Sequence, residues 1–195
     1  MKIFNLFISL LRAAPAFVFV ISIVLFLFTR LDIYLFLSIV ITLGEFVNKI
    51  LKHNVFKPIM KQKNWPILGY GTRPKDSKNS SQFGDINTPP NKGSYGMPSG
   101  HSQTTVTFAV FLILTILDYH TDLSENTQKY IILLIIFFTL SVLWSRLYLK
   151  CHTIPQLLIG AIFGGILGYY GYIFGNKLVN NASSKITQLS HNLSN

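Results

Sequence analysis

The chain has 195 residues, half of them hydrophobic, with a mean hydropathy of +0.42 and only 12% charged, against about 25% in soluble domains. Its net charge is +10, from 17 Lys and Arg against 7 Asp and Glu. That balance excludes an ordinary soluble domain. Because the basic residues flank or join apolar blocks, they point to anionic headgroups or a phosphate substrate rather than to nucleic acid. The single cysteine, Cys151, allows neither an intrachain disulfide nor a cysteine-based metal cluster.

The apolar residues fall in blocks near spanning length, about 20 residues. The first covers residues about 4–28. Lys2 and the apolar stretch behind it resemble a signal peptide. Arg12 and Pro15 interrupt that pattern and no convincing cleavage site follows, so the segment reads as a retained first span. Arg12 either snorkels to the interface or faces the bundle. Arg30, Leu31 and Asp32 form a turn into the second block, residues about 33–51. Near its end Glu45, Asn48, Lys49 and Lys52 are expected on one helical face. They make either an interfacial helix end or a polar stripe leading to a site.

Residues 53–97 are a long polar stretch broken by Pro58, Pro66, Pro74, Pro89 and Pro90, which reads as loop and turn. Within it, Trp65 to Gly71 is apolar and aromatic, and is expected to dip into the headgroup region. Residues 76–93 are expected to be the least ordered. The third block covers residues about 101–118, the fourth about 129–149 and the fifth about 153–174. Asp118, Asp122 and Glu125 make the turn between the third and fourth acidic. Gly160, Gly164, Gly165, Gly168 and Gly171 stud the fifth as a face for close helix packing. From Asn176 the chain is polar and reads as a mobile tail. The expected fold is all-α: an integral membrane helical bundle of about five transmembrane helices. A single domain covers residues 1–175, the long loop is inserted between the second and third spans, and the tail covers 176–195.

The chemistry gathers around Tyr95-Gly96-Met97-Pro98-Ser99-Gly100-His101-Ser102-Gln103, where the polar loop meets the third span. Ser99 caps the helix that follows, so free N–H groups stand beside a hydroxyl and an imidazole, an arrangement suited to an anion. Alternation of the spans across the membrane brings Lys52, Arg73, Ser99, His101, Arg146 and His152 to one face. Cations, a helix N-terminus and two imidazoles without a carboxylate cluster suit a phosphate or diphosphate, with no metal and no cofactor. Arg grips phosphate oxygens in pairs and Lys supplies a point charge. Two histidines can divide the work of nucleophile and acid.

The pieces Arg73-Pro74, Pro98-Ser99-Gly100-His101 and Ser145-Arg146-x5-His152 resemble the three signature motifs of the type 2 phosphatidic acid phosphatase superfamily, over residues from about Glu45 to Gly165. Within it, Tyr95 to Gln103 and Ser145-Arg146-x-Tyr148-x3-His152-Thr153-x2-Gln156 look most like the dolichyl-diphosphatase group. The resemblance implies a metal-independent, membrane-embedded lipid phosphatase. His152 would be the nucleophile and His101 the acid for the leaving lipid phosphate. Arg73, Arg146, Ser99 and the Gly100 N–H would hold the transferred phosphoryl. Two departures stand out. The family lysine falls seven residues before the first-motif Arg, where this chain has Pro66. Lys52 is the favoured substitute and Lys57 the next. Most members also place Asp four residues after the nucleophile, where this chain has Gln156. Its carbonyl can orient the imidazole but adds no charge.

The leading expectation is hydrolysis of a phosphate from a polyprenyl (dolichyl-type) diphosphate through a phosphohistidine. Phosphatidic acid or another lipid monophosphate is the rival substrate, and a non-catalytic lipid-binding protein is the rival class. Short spans without a mid-membrane charge argue against a transporter. The positive-inside rule places the site in the cytoplasm, whereas the resemblance implies the endoplasmic reticulum membrane with a lumenal site. His53, His120 and His191 read as surface or interfacial residues.

Overall fold

A computed structural model describes residues 2–61, 63–79 and 95–194, with their side chains placed from residue 3 through residue 182 and at residue 184. Most of the stretch 76–93 lies outside the described residues.

The chain is helical almost throughout. α1 (Lys2–Arg12) and α2 (Ala14–Thr29) form a pair bent by 71°. The first apolar block is therefore an elbow rather than one straight span. Pro15 explains the break, because it lacks the N–H that would continue the ladder back to Leu11. Arg30 ends α2 in the left-handed conformation, at φ 58°. α3 (Asp32–Ile50) runs on into a π-helical segment (Leu51–Phe56) and the short α4 (Lys57–Met60). The second span is thus longer than its apolar block, and the polar loop begins later than expected. α5 (Gly100–Tyr119) starts at the Ser99 cap, and α6 (Glu125–Tyr148) at Ser124, whose hydroxyl accepts from the Thr127 N–H at 3.2 Å. α7 (Ile154–Ser194) carries the helix past Asn176 to the end of the described chain.

Among the described residues, four helical units are long and apolar enough to cross a membrane: Asp32–Met60, α5, α6 and Ile154–Ala182. The α1–α2 elbow makes a fifth if counted as one span. The protein is a multi-pass membrane helical bundle. Leu133, Leu134, Phe137 and Leu140 of α6 stay exposed, as side chains facing lipid do.

α5 lies at the centre, against α7 along its length and against α3 and α6 on its flanks. The main core joins Val18, Ile33, Tyr34, Leu37, Val40, Phe108, Phe111 and Tyr172. Gly160, Gly164 and Gly168 seat α7 on α5, Gly171 and Gly175 face Val40 and Phe36 of α3, and Gly165 faces open space. A Cβ at Gly160 would stand 2.5 Å from the Ser99 carbonyl oxygen, and one at Gly168 2.7 Å from that of Thr107. Small residues at this interface let the backbones touch. The far end holds its own polar contacts. Tyr34 Oη pairs with His120 Nε2 at 2.6 Å, so His120 is half-buried and hydrogen-bonded just past the end of α5.

The loop before α5 carries a hairpin, β1 (Asn64–Trp65) and β2 (Gly69–Tyr70), antiparallel with Trp65 opposite Gly69. Ile67 at its tip is 95% exposed. The chain then returns to the bundle. Thr72 bridges to Tyr95, the Gly96 and Met97 N–H groups donate to the Gly71 carbonyl, and the Tyr95 hydroxyl donates to the Phe56 carbonyl. The loop is stitched to the segment that leads into α5.

Candidate active site

Three backbone features build the site. The first is the start of α5. Ser99 is fully buried, its hydroxyl accepts from the Ser102 N–H at 3.4 Å, and its own N–H donates to the Gln156 carbonyl at 3.1 Å. Gly100 is the first residue of the helix, and a Cβ there would press on Asn48 Oδ1 at 3.3 Å. Asn48 in turn donates to Gln103 Oε1 at 2.9 Å, and Gln103 donates to the Gly44 carbonyl at 2.7 Å. Glu45 accepts from the Thr104 hydroxyl. The polar stripe of α3 therefore grips α5, but Lys49 is exposed and does not share it.

The second is the turn from α6 to α7. Arg146, in the last turn of α6, is fully buried, its Nε and Nη2 donating to Ser145 Oγ at 3.1 and 3.0 Å, while Nη1 has no hydrogen-bond partner among the described residues. Lys150 takes the left-handed conformation at φ 51°, and the Cys151 N–H bonds back to the Arg146 carbonyl at 2.9 Å. This returns the chain so that His152 stands immediately before α7. Burial pushes the Cys151 thiol up, so it stays protonated beside His152.

The third is Gln156. His152 Nδ1 lies 3.1 Å from its Oε1, and the Thr153 N–H donates to the same oxygen at 3.4 Å. Thr153-x-x-Gln156 makes one half of a capping box: the third helical residue reaches back to the cap N–H, while the Thr153 hydroxyl has no hydrogen-bond partner among the described residues. The Gln156 Nε2 donates to the carbonyls of Tyr70 and Thr72, both at 2.9 Å. Those carbonyls can only accept, which fixes the amide orientation. The Oε1 can then only accept from His152, so Nδ1 carries the proton and Nε2 keeps the lone pair. Gly96 makes room, since a Cβ there would lie 2.9 Å from the Gln156 amide carbon.

The cations converge on this imidazole. Arg73, Lys52 and His101 all act electrostatically on His152. Arg146, Arg73 and Lys52 act on His101 in the same way. Burial first, and those charges next, hold His152 well below its ordinary range. Lys52 is half-buried at the start of the π-helical segment, and Lys57 is exposed. A π-turn widens the helix and re-aims the side chains it carries. The structure thus brings together Lys52, Arg73, Ser99, Gly100, His101, Arg146, His152 and Gln156. Among the described residues no group of three or more His, Cys, Asp or Glu side chains could hold a metal ion.

One contact was not legible. The His101 ring meets the carbonyl of Arg12 through Nε2 at 2.9 Å, and Arg12 is only 4% exposed. Of the two places the sequence left open for Arg12, it takes the one facing the bundle.

The pattern of the PAP2 superfamily matches residues 33–179, from the start of α3 to well into α7. The chain belongs to the PAP2 superfamily. Among its relatives, dolichyldiphosphatase 1 of Dictyostelium discoideum is 37% identical over 82 residues, which is 42% of this chain and 36% of that protein. The chloroplastic lipid phosphate phosphatase epsilon 2 of Arabidopsis thaliana is 33% identical over 86 residues, 43% of this chain and 29% of that protein. Human dolichyldiphosphatase 1 is 32% identical over 93 residues, 44% of this chain and 38% of that protein. The matches thus span between 29% and 38% of these relatives' lengths. No solved structure matches the chain. At Gln156, where the resemblance implies an Asp, the amide bridges the imidazole to the loop that carries Arg73.

Proposed function

We propose that this PAP2 protein is a metal-independent lipid diphosphatase that removes the terminal phosphate of a polyprenyl (dolichyl-type) diphosphate through a phosphohistidine. The observation that carries the reading is the His152 tautomer. With Nδ1–H tied to Gln156, the Nε2 lone pair is the free nucleophile, and the charges of Arg73 and Lys52 act on the same imidazole.

In the first step His152 Nε2 attacks the terminal phosphorus. The N–P bond forms and the bridging P–O bond breaks. Arg73, Arg146, Lys52, the Ser99 hydroxyl and the Gly100 N–H stabilise the charge on the equatorial oxygens. His101 delivers its proton to the leaving lipid phosphate. In the second step His101 takes a proton from water as the water attacks phosphorus, which frees His152 and releases inorganic phosphate. The resemblance to dolichyldiphosphatase 1 supports a polyprenyl diphosphate as substrate; a site on the lumenal side of the endoplasmic reticulum membrane belongs to the same proposal. The likeness to a lipid phosphate phosphatase keeps phosphatidic acid as the second reading.

The test is phosphate release by detergent-purified protein with EDTA present, on dolichyl diphosphate and on phosphatidic acid, beside His152→Ala. Release from the diphosphate that the substitution abolishes supports the reading. Preference for phosphatidic acid keeps the mechanism and replaces the substrate. No release from either lipid by folded protein leaves a non-catalytic lipid-binding protein.

A further inference from the structure

We infer that the β1–β2 hairpin is a lipid-binding element, which seats Ile67 in an anionic membrane surface and thereby steadies Gln156 against His152. Its consequence for turnover rests on the proposed reaction, whereas the lipid contact stands apart from it.

The hairpin has an inner and an outer side. On the inner side Leu68 packs with Met60, Tyr95 and Met97, and Ile159 of α7 joins them. The Tyr70 and Thr72 carbonyls accept from the Gln156 amide. On the outer side Ile67 is bare, and Trp65 and Tyr70 are exposed with it. The tip is strained. The Leu68 N–H donates to the Pro66 carbonyl at 2.7 Å, which closes a three-residue turn around Ile67 at φ 68°. A β-branched residue rarely takes that conformation, and turns of this hand are uncommon. Glycine would make the same turn without strain, as Gly69 does at φ 67°. Strain kept at an exposed position points to a use for the side chain.

The surroundings name the partner. The hairpin follows shortly after the span that ends at Met60, which sets it near the membrane boundary. Trp65 and Tyr70 are of the amphipathic aromatic type that collects there. Lys61 and Lys63 are exposed at its foot, and from His53 to Lys75 the sequence holds no Asp or Glu. An apolar tip between aromatics and lysines is complementary to anionic headgroups over acyl chains. A seated tip holds the Tyr70 strand in place. The Gln156 amide then keeps its two carbonyls, and its Oε1 keeps the proton on His152 Nδ1.

The experiment uses the full chain with Trp144→Phe, which leaves Trp65 as the one tryptophan, in nanodiscs of phosphatidylcholine with or without phosphatidylglycerol. Lipid brominated on its acyl chains is expected to quench Trp65, more strongly with the anionic lipid present. Ile67→Asp, and Lys61→Gln with Lys63→Gln, are expected to remove about half of that quenching or more. Ile67→Gly is expected to lose it too while holding or raising the melting temperature in detergent, which separates the side chain's use from the fold. On dolichyl diphosphate, Ile67→Asp is expected to lower kcat about tenfold in anionic nanodiscs and to match wild type in detergent. Quenching of Trp65 by aqueous iodide alone, or lipid quenching that Ile67→Asp leaves unchanged, overturns the inference and gives the tip to water or to a protein. Lost lipid quenching with wild-type kcat overturns the link to Gln156. Wild-type protein that is quenched by lipid yet releases no phosphate counts against the proposed reaction and supports the lipid contact.

Discussion

Gln156 holds His152 with one end of its amide and the Arg73 loop with the other: Oε1 lies 3.1 Å from Nδ1, while Nε2 donates to the Tyr70 and Thr72 carbonyls at 2.9 Å. A carboxylate in this place would still accept from the imidazole. It would also set a negative oxygen against two carbonyl oxygens that now receive hydrogen bonds. Leaving buried polar groups unmatched costs about 1–3 kcal/mol. Gln156→Glu is therefore expected to lower unfolding stability by about that amount and to cut turnover at least tenfold. Thermal unfolding and kcat of the purified variant check this. Wild-type stability in Gln156→Glu would mean that the two loop contacts carry no weight.

The same imidazole sets a pH dependence. Burial, with the charges of Arg73, Lys52 and His101 after it, lowers the His152 pKa well below its model-peptide value of 6.5. The unfolded chain thus binds a proton at a pH where the folded chain does not. Stability from this group is complete above about 6.5 and is lost as pH falls below that value, by at most about 1.4 kcal/mol per pH unit. The melting temperature should decline on acidification below about pH 6.5, and His152→Gln should flatten that decline. The attacking form of His152 is the neutral one, so the acid limb it contributes to kcat/KM should lie below pH 6.5. An acid limb at or above the ordinary histidine value, moved by His152 itself, would contradict the burial.

Much of this arrangement was legible from residue order. Apolar block lengths gave the bundle, and alternation across the membrane gathered Lys52, Arg73, Ser99, His101, Arg146 and His152 at one end. What escaped depends on geometry that spacing does not encode. Pro15 was visible, but the size of the elbow and the inward turn of Arg12 depend on how α1 packs against the end of α6. Thr153-x-x-Gln156 was visible too. Read as a capping box it would have placed the Gln156 amide back over the start of α7, but its reach to Tyr70 and Thr72 needed the hairpin. Lys49 was misplaced because a stripe of polar residues at a helix end is wider than the face that packs. The extension of the second span through Met60 escaped because Lys52, His53, Asn54 and Lys57 mask the helix with polar residues.

Lys52 and Lys57 separate cleanly. Lys52 is half-buried with its charge on His152 and on Arg73, and Lys57 is exposed at the start of α4. Removing a cation that stabilises a phosphoryl transition state costs about 10²–10³ in rate. Lys52→Ala is expected to lose turnover on that scale, with Lys57→Ala within twofold of wild type. Steady-state kinetics on one lipid substrate decide it. If Lys57→Ala is the damaging change, the family lysine has been placed one helical segment too early.

The glycines of α7 supply a paired test of packing. At Gly164 an added Cβ would meet the Gln103 carbonyl oxygen and stand 3.0 Å from Val106 Cβ, whereas at Gly165 nothing lies within 4 Å. Gly164→Ala must push α7 off α5, and overpacking of this kind costs about 1–3 kcal/mol. Gly165→Ala fills open space and gains the helix preference of Ala over Gly, up to about 1 kcal/mol. The two neighbours should therefore move the melting temperature in opposite directions, down for Gly164→Ala and level or up for Gly165→Ala. Since Gln103 also anchors Asn48 beneath Gly100, the loss at Gly164 should reach activity as well as stability. Equal effects at both positions would show that α7 does not rest on α5 through this face.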